Sequence, residues 1–314
     1  MHFTLQQLKL FEAVSRNSSY TAAAEQLHLT QPAVYIQIKR LEEQVGIPLF
    51  EPVGKKIFPT NAGKTMYQAS LDILNRVSEL KNDIESLKGE IKGPLQISVV
   101  TTSKYFMPHI LGAFLSQYPD VEPKLTFTNR AKVMSRLKSN EDDFVVMGQI
   151  PENEDLDTYP FLENILVVVA HPSHPLCNKK NIPLKNLVGE RFLEREIGSG
   201  TRLVFDRLLA DKGFEIEPYM ELGSSEAIKQ GVMAGLGLAV LSLHSLDLEL
   251  AAGKLKVLDI QNFPLKRRWF AVHFKGKKLS LVANTFLKFM LNNTQEILTE
   301  RNAIPSMDLE SIKN

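Results

Sequence analysis

The spacing of apolar residues before position 60 is the strongest constraint on this chain. Leu5, Leu8, Phe11 and Val14 recur at near-helical intervals, and Asn17-Ser18-Ser19 interrupts them. A second helix is expected over residues 21–27, where Ala22, Ala23 and Ala24 let a neighbouring helix approach closely. After the turn His28-Leu29-Thr30 a third helix is expected to run to residue 45. Thr30 would be its N-cap, Pro32 would sit in its first turn and Gly46 would end it. Val34, Ile38, Leu41 and Val45 form one inward stripe on that helix. The opposite face, with Pro32, Tyr35, Ile36, Lys39 and Arg40, combines apolar side chains with adjacent cations. That is poor for plain solvation and suits a helix lying in a major groove. Gln31, Pro32, Tyr35 and Ile36 would then lie against bases, and Lys39 and Arg40 on phosphates. A three-helix bundle with a solvated face has the same pattern. Residues 51–60 favour the first reading, since they form a short hairpin turning at Gly54 with Lys55 and Lys56 at its tip. A basic wing of this kind touches flanking DNA backbone or minor groove.

Residues 61–88 contain no helix breaker except Gly63. Met66, Ser70, Ile73, Val77, Leu80, Ile84 and Leu87 alternate by four and three, the a/d seam of a coiled coil. So narrow a stripe favours a second helix over packing on the chain's own domain, and assigns dimerisation to Met66, Ile73, Val77, Leu80, Ile84 and Leu87. Gly89 and Gly93-Pro94 end the helix. The expected domains are therefore residues 1–60, 61–90 and 91–314.

Beyond Pro94, strands and helices alternate. Strands are expected over 95–100, 124–128, 144–147, 165–170, 192–193, 219–222, 239–241 and 269–274, with helices over 105–117, 133–137, 201–212 and 225–234. This implies two α/β lobes on a mainly parallel sheet, with a ligand cleft between them. Two loops have anion-binding chemistry. Thr101-Thr102-Ser103-Lys104 offers hydroxyls and N–H groups at a helix start, although simple N-capping accounts for it equally. Gly198-Ser199-Gly200-Thr201-Arg202 allows close backbone approach, with Thr201 as a cap and Arg202 as an oxyanion clamp. Gly235-Leu236-Gly237 lies after a helix and before a strand, the wrong order for a dinucleotide fingerprint, and reads as a tight turn.

Several ordered, ungapped segments resemble the LysR-type transcriptional regulators. They run from Ala22-Ala23-Ala24-Glu25-Gln26-Leu27 through Gln31-Pro32-Ala33-Val34, then Ile38-Lys39-Arg40-Leu41-Glu42, Gly46-Ile47-Pro48-Leu49-Phe50 and Thr60-Asn61-Ala62-Gly63. The resemblance implies an α+β chain: a winged helix-turn-helix, a long dimerisation helix and a two-lobed periplasmic-binding-protein-like sensor domain. It also implies a homodimer or homotetramer, palindromic operator DNA and RNA polymerase as partners. The chain would cross twice between lobes, here near Leu162 and Phe270, giving lobe I as 94–162 with 270–300 and lobe II as 163–269. Within the group the chain most resembles regulators of the Calvin-cycle carbon-fixation operon and of carbon uptake. Gly54-Lys55-Lys56-Ile57, Thr102-Ser103-Lys104-Tyr105-Phe106 and Asn129-Arg130 carry that similarity. Such regulators respond to phosphosugars, phosphoacids or NADPH, and Thr101, Thr102, Ser103, Gln149, Thr201 and Arg202 hold the matching cleft positions. One departure stands out. Met147-Gly148-Gln149-Ile150-Pro151 replaces a segment that often reads Gly-Arg-Pro-Pro, and the loss of that arginine weakens the case for a doubly charged ligand.

Composition sets the remaining bounds. The 314 residues suit two domains, and a net charge of +1 neither requires nor excludes nucleic acid. The single cysteine, Cys177, lacks metal-ligand neighbours and reads as a small apolar thiol rather than a reactive switch. Met1-His2-Phe3-Thr4 lacks the basic and apolar regions of a signal peptide, and the longest apolar run, 165–170, is too short to span a bilayer. A cytoplasmic protein without membrane contact is expected. No cofactor or metal is expected, and no enzyme: Pro172 and Pro175 break up His171 and His174, and nucleophile motifs are missing. A transporter's solute-binding protein would share the sensor fold but would need an export signal.

Overall fold

The computed structural model describes residues 3–54, 56–86, 89–152 and 154–300, in two compact units, Met1–Gly89 and Glu90–Asn314. Lys55 and Leu87, named above for DNA binding and dimerisation, lie outside the described residues.

In the first unit, α1 (Leu5–Asn17) begins at a reciprocal cap in which Thr4 Oγ1 accepts from the Gln7 N–H and Gln7 Oε1 accepts from the Thr4 N–H. Ser19 caps α2 (Tyr20–Gln26). Thr30 occupies the N-cap position of α3 (Gln31–Val45) without a side-chain hydrogen bond, and Gly46 ends that helix at a left-handed φ of 82°. The inward stripe is real: Val34, Ile38 and Leu41 are buried with Leu10, Phe11, Val14, Ala23 and Ala24. β1 (Phe50–Val53) and β2 (Lys56–Pro59) form the antiparallel hairpin about Gly54. Glu42 fastens this hairpin to α3. Its Oε1 accepts from the N–H groups of Leu49 (2.8 Å) and Phe50 (3.1 Å), while its Oε2 meets Lys39 Nζ at 2.7 Å.

α4 (Asn61–Ser86) starts with Gly63 pressed on the hairpin root, where a Cβ would lie 2.1 Å from the Leu49 carbonyl oxygen, so no other residue fits. The seam divides along its length. Met66, partly buried, packs against the core of its own unit, and Ser70 is buried with its hydroxyl on the Met66 carbonyl. Ile73, Val77, Leu80 and Ile84 are 38%, 38%, 58% and 50% exposed.

The second unit is built on a seven-stranded sheet of β3 (Gly93–Val100), β4 (Val121–Thr128), β5 (Phe144–Met147), β6 (Leu156–Ala170), β9 (Ala239–Ser242), β10 (Lys256–Val257) and β11 (Leu265–Phe274). A small parallel pair joins β7 (Leu193–Arg195) to β8 (Met220–Leu222). The helices are α5 (Met107–Gln117), α6 (Arg130–Lys138), α7 (Gly200–Asp211), α8 (Ser225–Met233), α9 (Asp247–Ala251) and α10 (Leu281–Glu300). Only β3, β4 and β5 are parallel in the large sheet; every pairing of β6 and β11 is antiparallel. The expected mainly parallel sheet is thus corrected. β6 and β11 traverse the unit in opposite directions and pair along their lengths, with a bulge between Trp269 and Phe270. Leu162 and its partner Trp269 belong to one core, with Val99, Phe106, Phe114 and Phe286. Further along β6, Leu166, Val168 and Ala170 enter a second core with Phe192 and Phe205, while Val167 and Val169 enter a third with Ile228 and Leu241. Both faces of that stretch are covered, which is why it reads as an unbroken apolar run.

The expected helix over 105–117 is two elements. A 3-10 turn over Thr101–Tyr105 is closed by Ser103 Oγ donating to the Val100 carbonyl (2.7 Å), and Pro108 sits in the first turn of α5.

Candidate functional site

Two surfaces carry the chemistry. On α3, Gln31, Pro32, Tyr35, Ile36, Lys39 and Arg40 are all exposed, as is Lys56 on β2. The Tyr35 ring meets Tyr20 edge-on at 5.4 Å, and Lys39 Nζ lies 5.7 Å from its centroid. Lys39 is less free than its exposure suggests, because the hydrogen bond it donates to Glu42 ties it down and raises its pKa.

The second surface is a narrow cleft within the Glu90–Asn314 unit. The carboxyl end of β3 brings Val100, Thr101 and Thr102 to it; the start of α6 brings Asn129 and Arg130; the chain after β5 brings Gly148 and Gln149. From the facing side come Asn164 on β6, Arg195 on β7, Arg267 and Trp269 on β11, and Ser199, Gly200 and Thr201 at the start of α7. Two helix N-termini therefore open on one cavity, each with a partial positive charge; α6 is capped by Asn129 Oδ1 on the Lys132 N–H, whereas α7 has no side-chain cap. The walls come close where the Ala131 N–H donates to the Gly198 carbonyl at 3.3 Å. Gly198 has φ 95° and its Cβ would lie 3.0 Å from that of Ala131.

Thr101, Thr102, Gln149 and Thr201 come together in this cleft, whereas Ser103 and Arg202 do not line it. Ser103 is fully buried in closing its own turn. Arg202 follows Thr201 by one position, about 100° around the helix, and so faces β7 and β8 instead. There it meets Glu194 (3.2 Å), Glu221 (2.5 Å), Asp206 (3.7 Å) and the Arg195 carbonyl (3.0 Å), and it is not the oxyanion clamp expected from sequence. Nor does Thr201 cap α7, since Ser199 holds that position.

The cations of the cleft are ones the sequence reading missed. Arg130 Nε donates to the Gln149 carbonyl at 2.9 Å, and Arg267 donates to the Gln149 side-chain oxygen. Burial, helped by Arg207, lowers the pKa of Arg130; burial, then Arg207 and Arg130, lowers that of Arg267. Neither guanidinium meets a carboxylate among the described residues. An arginine stays charged in a protein, so this half-buried pair carries a desolvation cost that an anion would offset. Arg195 is different, held by Glu196 and by Ser225 Oγ. Asn129-Arg130 was visible in the sequence as a similarity; Arg267 had no local signal, because only the pairing of β11 with β6 brings it opposite Asn164.

Beside the cleft, Tyr105 Oη donates to Glu226 at 3.2 Å, and buried Lys229 joins Glu226 (3.0 Å) to Glu249 (2.6 Å). Burial pushes the Tyr105 hydroxyl up to about 12, so it donates at any physiological pH.

Comparison with known proteins decides the family. Residues 5–64 match the bacterial regulatory helix-turn-helix of the lysR family, and residues 88–295 match the LysR substrate binding domain. The chain is a LysR-type transcriptional regulator. Among LysR relatives, it is 42% identical over 94% of its length, and 97% of the other, to the transcriptional activator CmpR of Synechocystis sp.. It is 44% identical to a RuBisCO operon transcriptional regulator of Acidithiobacillus ferrooxidans, over 92% of this chain and 94% of that one. Its sensor domain superposes on the Synechocystis CcmR regulatory domain, solved in complex with 2-PG. The TM-score is 0.63 at 44% identity, covering 65% of this chain and 98% of that one. Among the described residues no helix of the regulator is long and apolar enough to cross a membrane, and no cluster of His, Cys, Asp and Glu could hold a metal ion.

Proposed function

We propose that this regulator controls carbon-fixation genes in the cytoplasm by binding a small phosphorylated anion in the cleft, acting through RNA polymerase at its operator and without turnover chemistry of its own. The observation that carries the reading is the pair Arg130 and Arg267, half-buried and without carboxylate partners among the described residues, at a cleft onto which the N-termini of α6 and α7 open. Together with the hydroxyls of Thr102 and Thr201 they suit a phosphate and a carboxylate on one short molecule, while the Thr101 hydroxyl donates to the Thr128 carbonyl. The arginine absent at position 149 is no objection, because Gln149 lies between these two and accepts from both. The 2-phosphoglycolate on the CcmR domain, and the RuBisCO operon regulators among the relatives, support both ligand class and target genes. Gln31, Pro32, Tyr35 and Ile36 read bases, Lys39, Arg40, Lys55 and Lys56 hold phosphates, and Ile73, Val77, Leu80 and Ile84 pair two copies of α4 in a homodimer or homotetramer.

Titration calorimetry of the full-length protein with 2-phosphoglycolate, phosphosugars and NADPH tests the cleft. Saturable binding by a phosphorylated anion, lost in Arg130→Gln, is expected. If none of these binds the wild type, the assignment of the ligand falls.

A further inference from the structure

A second groove, lined on one side by α7 and on the other by the start of β11, holds about 800 Å³ of empty space and shares Gln149 and Arg267 with the cleft. Its chemistry differs from the cleft's. Leu203 and Arg207 lie four apart on α7, as do Val204 and Leu208, so one helix face presents an apolar wall beside a cation. Across from it stand Leu265, Lys266 and Arg267. Three cations thus face one acid, Asp211, in the lining. The ion pair of Arg207 is with Glu152 at 3.5 Å, and both of these side chains are mostly exposed, so the pair is weak and easily exchanged. Leu203 is exposed in the groove, uncovered by any of the described residues.

We propose that this groove is a second ligand site, for an amphiphilic anion: a carboxylate or phosphate carried on an apolar, ring-sized body. The head lies between Arg207 and Arg267 and the body on Leu203, Val204 and Leu265. A purely polar anion gains nothing from that wall; the cleft, which also has Val100, Leu166 and Trp269 in its lining, adds the hydroxyls, amides and helix N-termini that the groove lacks.

Phenyl phosphate and inorganic phosphate are the probes, titrated calorimetrically into the full-length regulator. Phenyl phosphate is expected to bind in an event that inorganic phosphate lacks, and that persists in the cleft variant Arg130→Gln. Leu203→Glu and Arg207→Gln, both at exposed positions, are each expected to weaken that event roughly tenfold, equivalent to about 1.4 kcal/mol. Trp269, the chain's one tryptophan, lines the cleft and not the groove, so its fluorescence should stay unchanged through that event. The proposal is overturned if phenyl phosphate binds no better than inorganic phosphate, if both groove variants bind it as wild type does, or if binding is lost in Arg130→Gln alone.

Discussion

Arg202 meets three carboxylates, and removing it should cost stability rather than ligand binding. Burial raises the pKa of Glu194, Asp206 adds to that, and Arg202 opposes it, while Glu194 Oε1 is buried without a hydrogen-bond partner. A carboxyl whose folded pKa lies above its unfolded value destabilises the fold once ionised, so stability is lost as pH rises through the folded pKa. Without Arg202 that pKa climbs further. Arg202→Gln is therefore expected to lose about 1–3 kcal/mol at neutral pH, with the deficit shrinking as acid protonates Glu194. Urea unfolding across pH checks this; a deficit that is flat or grows in acid contradicts it. At this scale the sequence was half legible. Thr101, Thr102 and Thr201 sit beside a strand end or a helix start, places that can be found from periodicity, whereas Gln149 is reached only through the family resemblance. Arg267 owes its position to strand pairing over a hundred residues of chain, which no local spacing reveals.

At the level of elements, α3 and the hairpin behave as one piece because Glu42 bridges them. Burial pushes the Glu42 carboxyl up, but Lys39 and the N–H groups of Leu49 and Phe50 outweigh it, leaving a net lowering. A lowered acid stabilises above its unfolded pKa, and that contribution is lost as pH falls through the folded value. Glu42→Ala strands two buried N–H groups and is expected to cost about 2–3 kcal/mol, measured by denaturant unfolding. Binding to all DNA sequences should weaken with it as the hairpin loosens. Lys56→Ala should instead weaken operator binding uniformly and reduce the salt slope by about one charge, and a changed base preference would refute its assignment to phosphate. The long helix was legible from its a/d repeat, yet the repeat does not say where packing on its own unit ends. Met66 falls on the inner side of that boundary and Ile73 on the outer. Charging Ile73, Val77 and Leu80 together should dissociate the full-length protein in sedimentation, while Met66→Glu should unfold the first unit.

For the whole molecule, alternating elements gave away two α/β lobes, but not how they are joined. Helix and strand periodicity reports which faces are buried; it is silent on strand direction, so the antiparallel return of β11 along β6 was missed. That return matters for signalling. The walls of the cleft share the two strands and are bridged by the hydrogen bonds from Ala131 to Gly198 and from Arg267 to Gln149, the Arg207–Glu152 pair and the contacts of Tyr105 and Lys104 with Glu226, so these are the bonds that a change in their separation would have to remake. An anion held by Arg130 on one wall and by the α7 N-terminus on the other favours whichever separation lets it touch both. If that preference reaches the DNA-reading unit, 2-phosphoglycolate should change operator affinity by roughly 5–150-fold, about 1–3 kcal/mol of coupling. Linkage then fixes a second number with no further assumption: saturating operator DNA must change 2-phosphoglycolate affinity by the same factor and in the same direction. Calorimetry of the ligand with free and with operator-bound regulator measures one factor, and gel-shift titration with and without ligand measures the other. Equal factors place the cleft in control of DNA binding. A ligand affinity unmoved by operator, beside tight ligand binding, would mean that the anion acts after the operator is bound, through contacts with RNA polymerase.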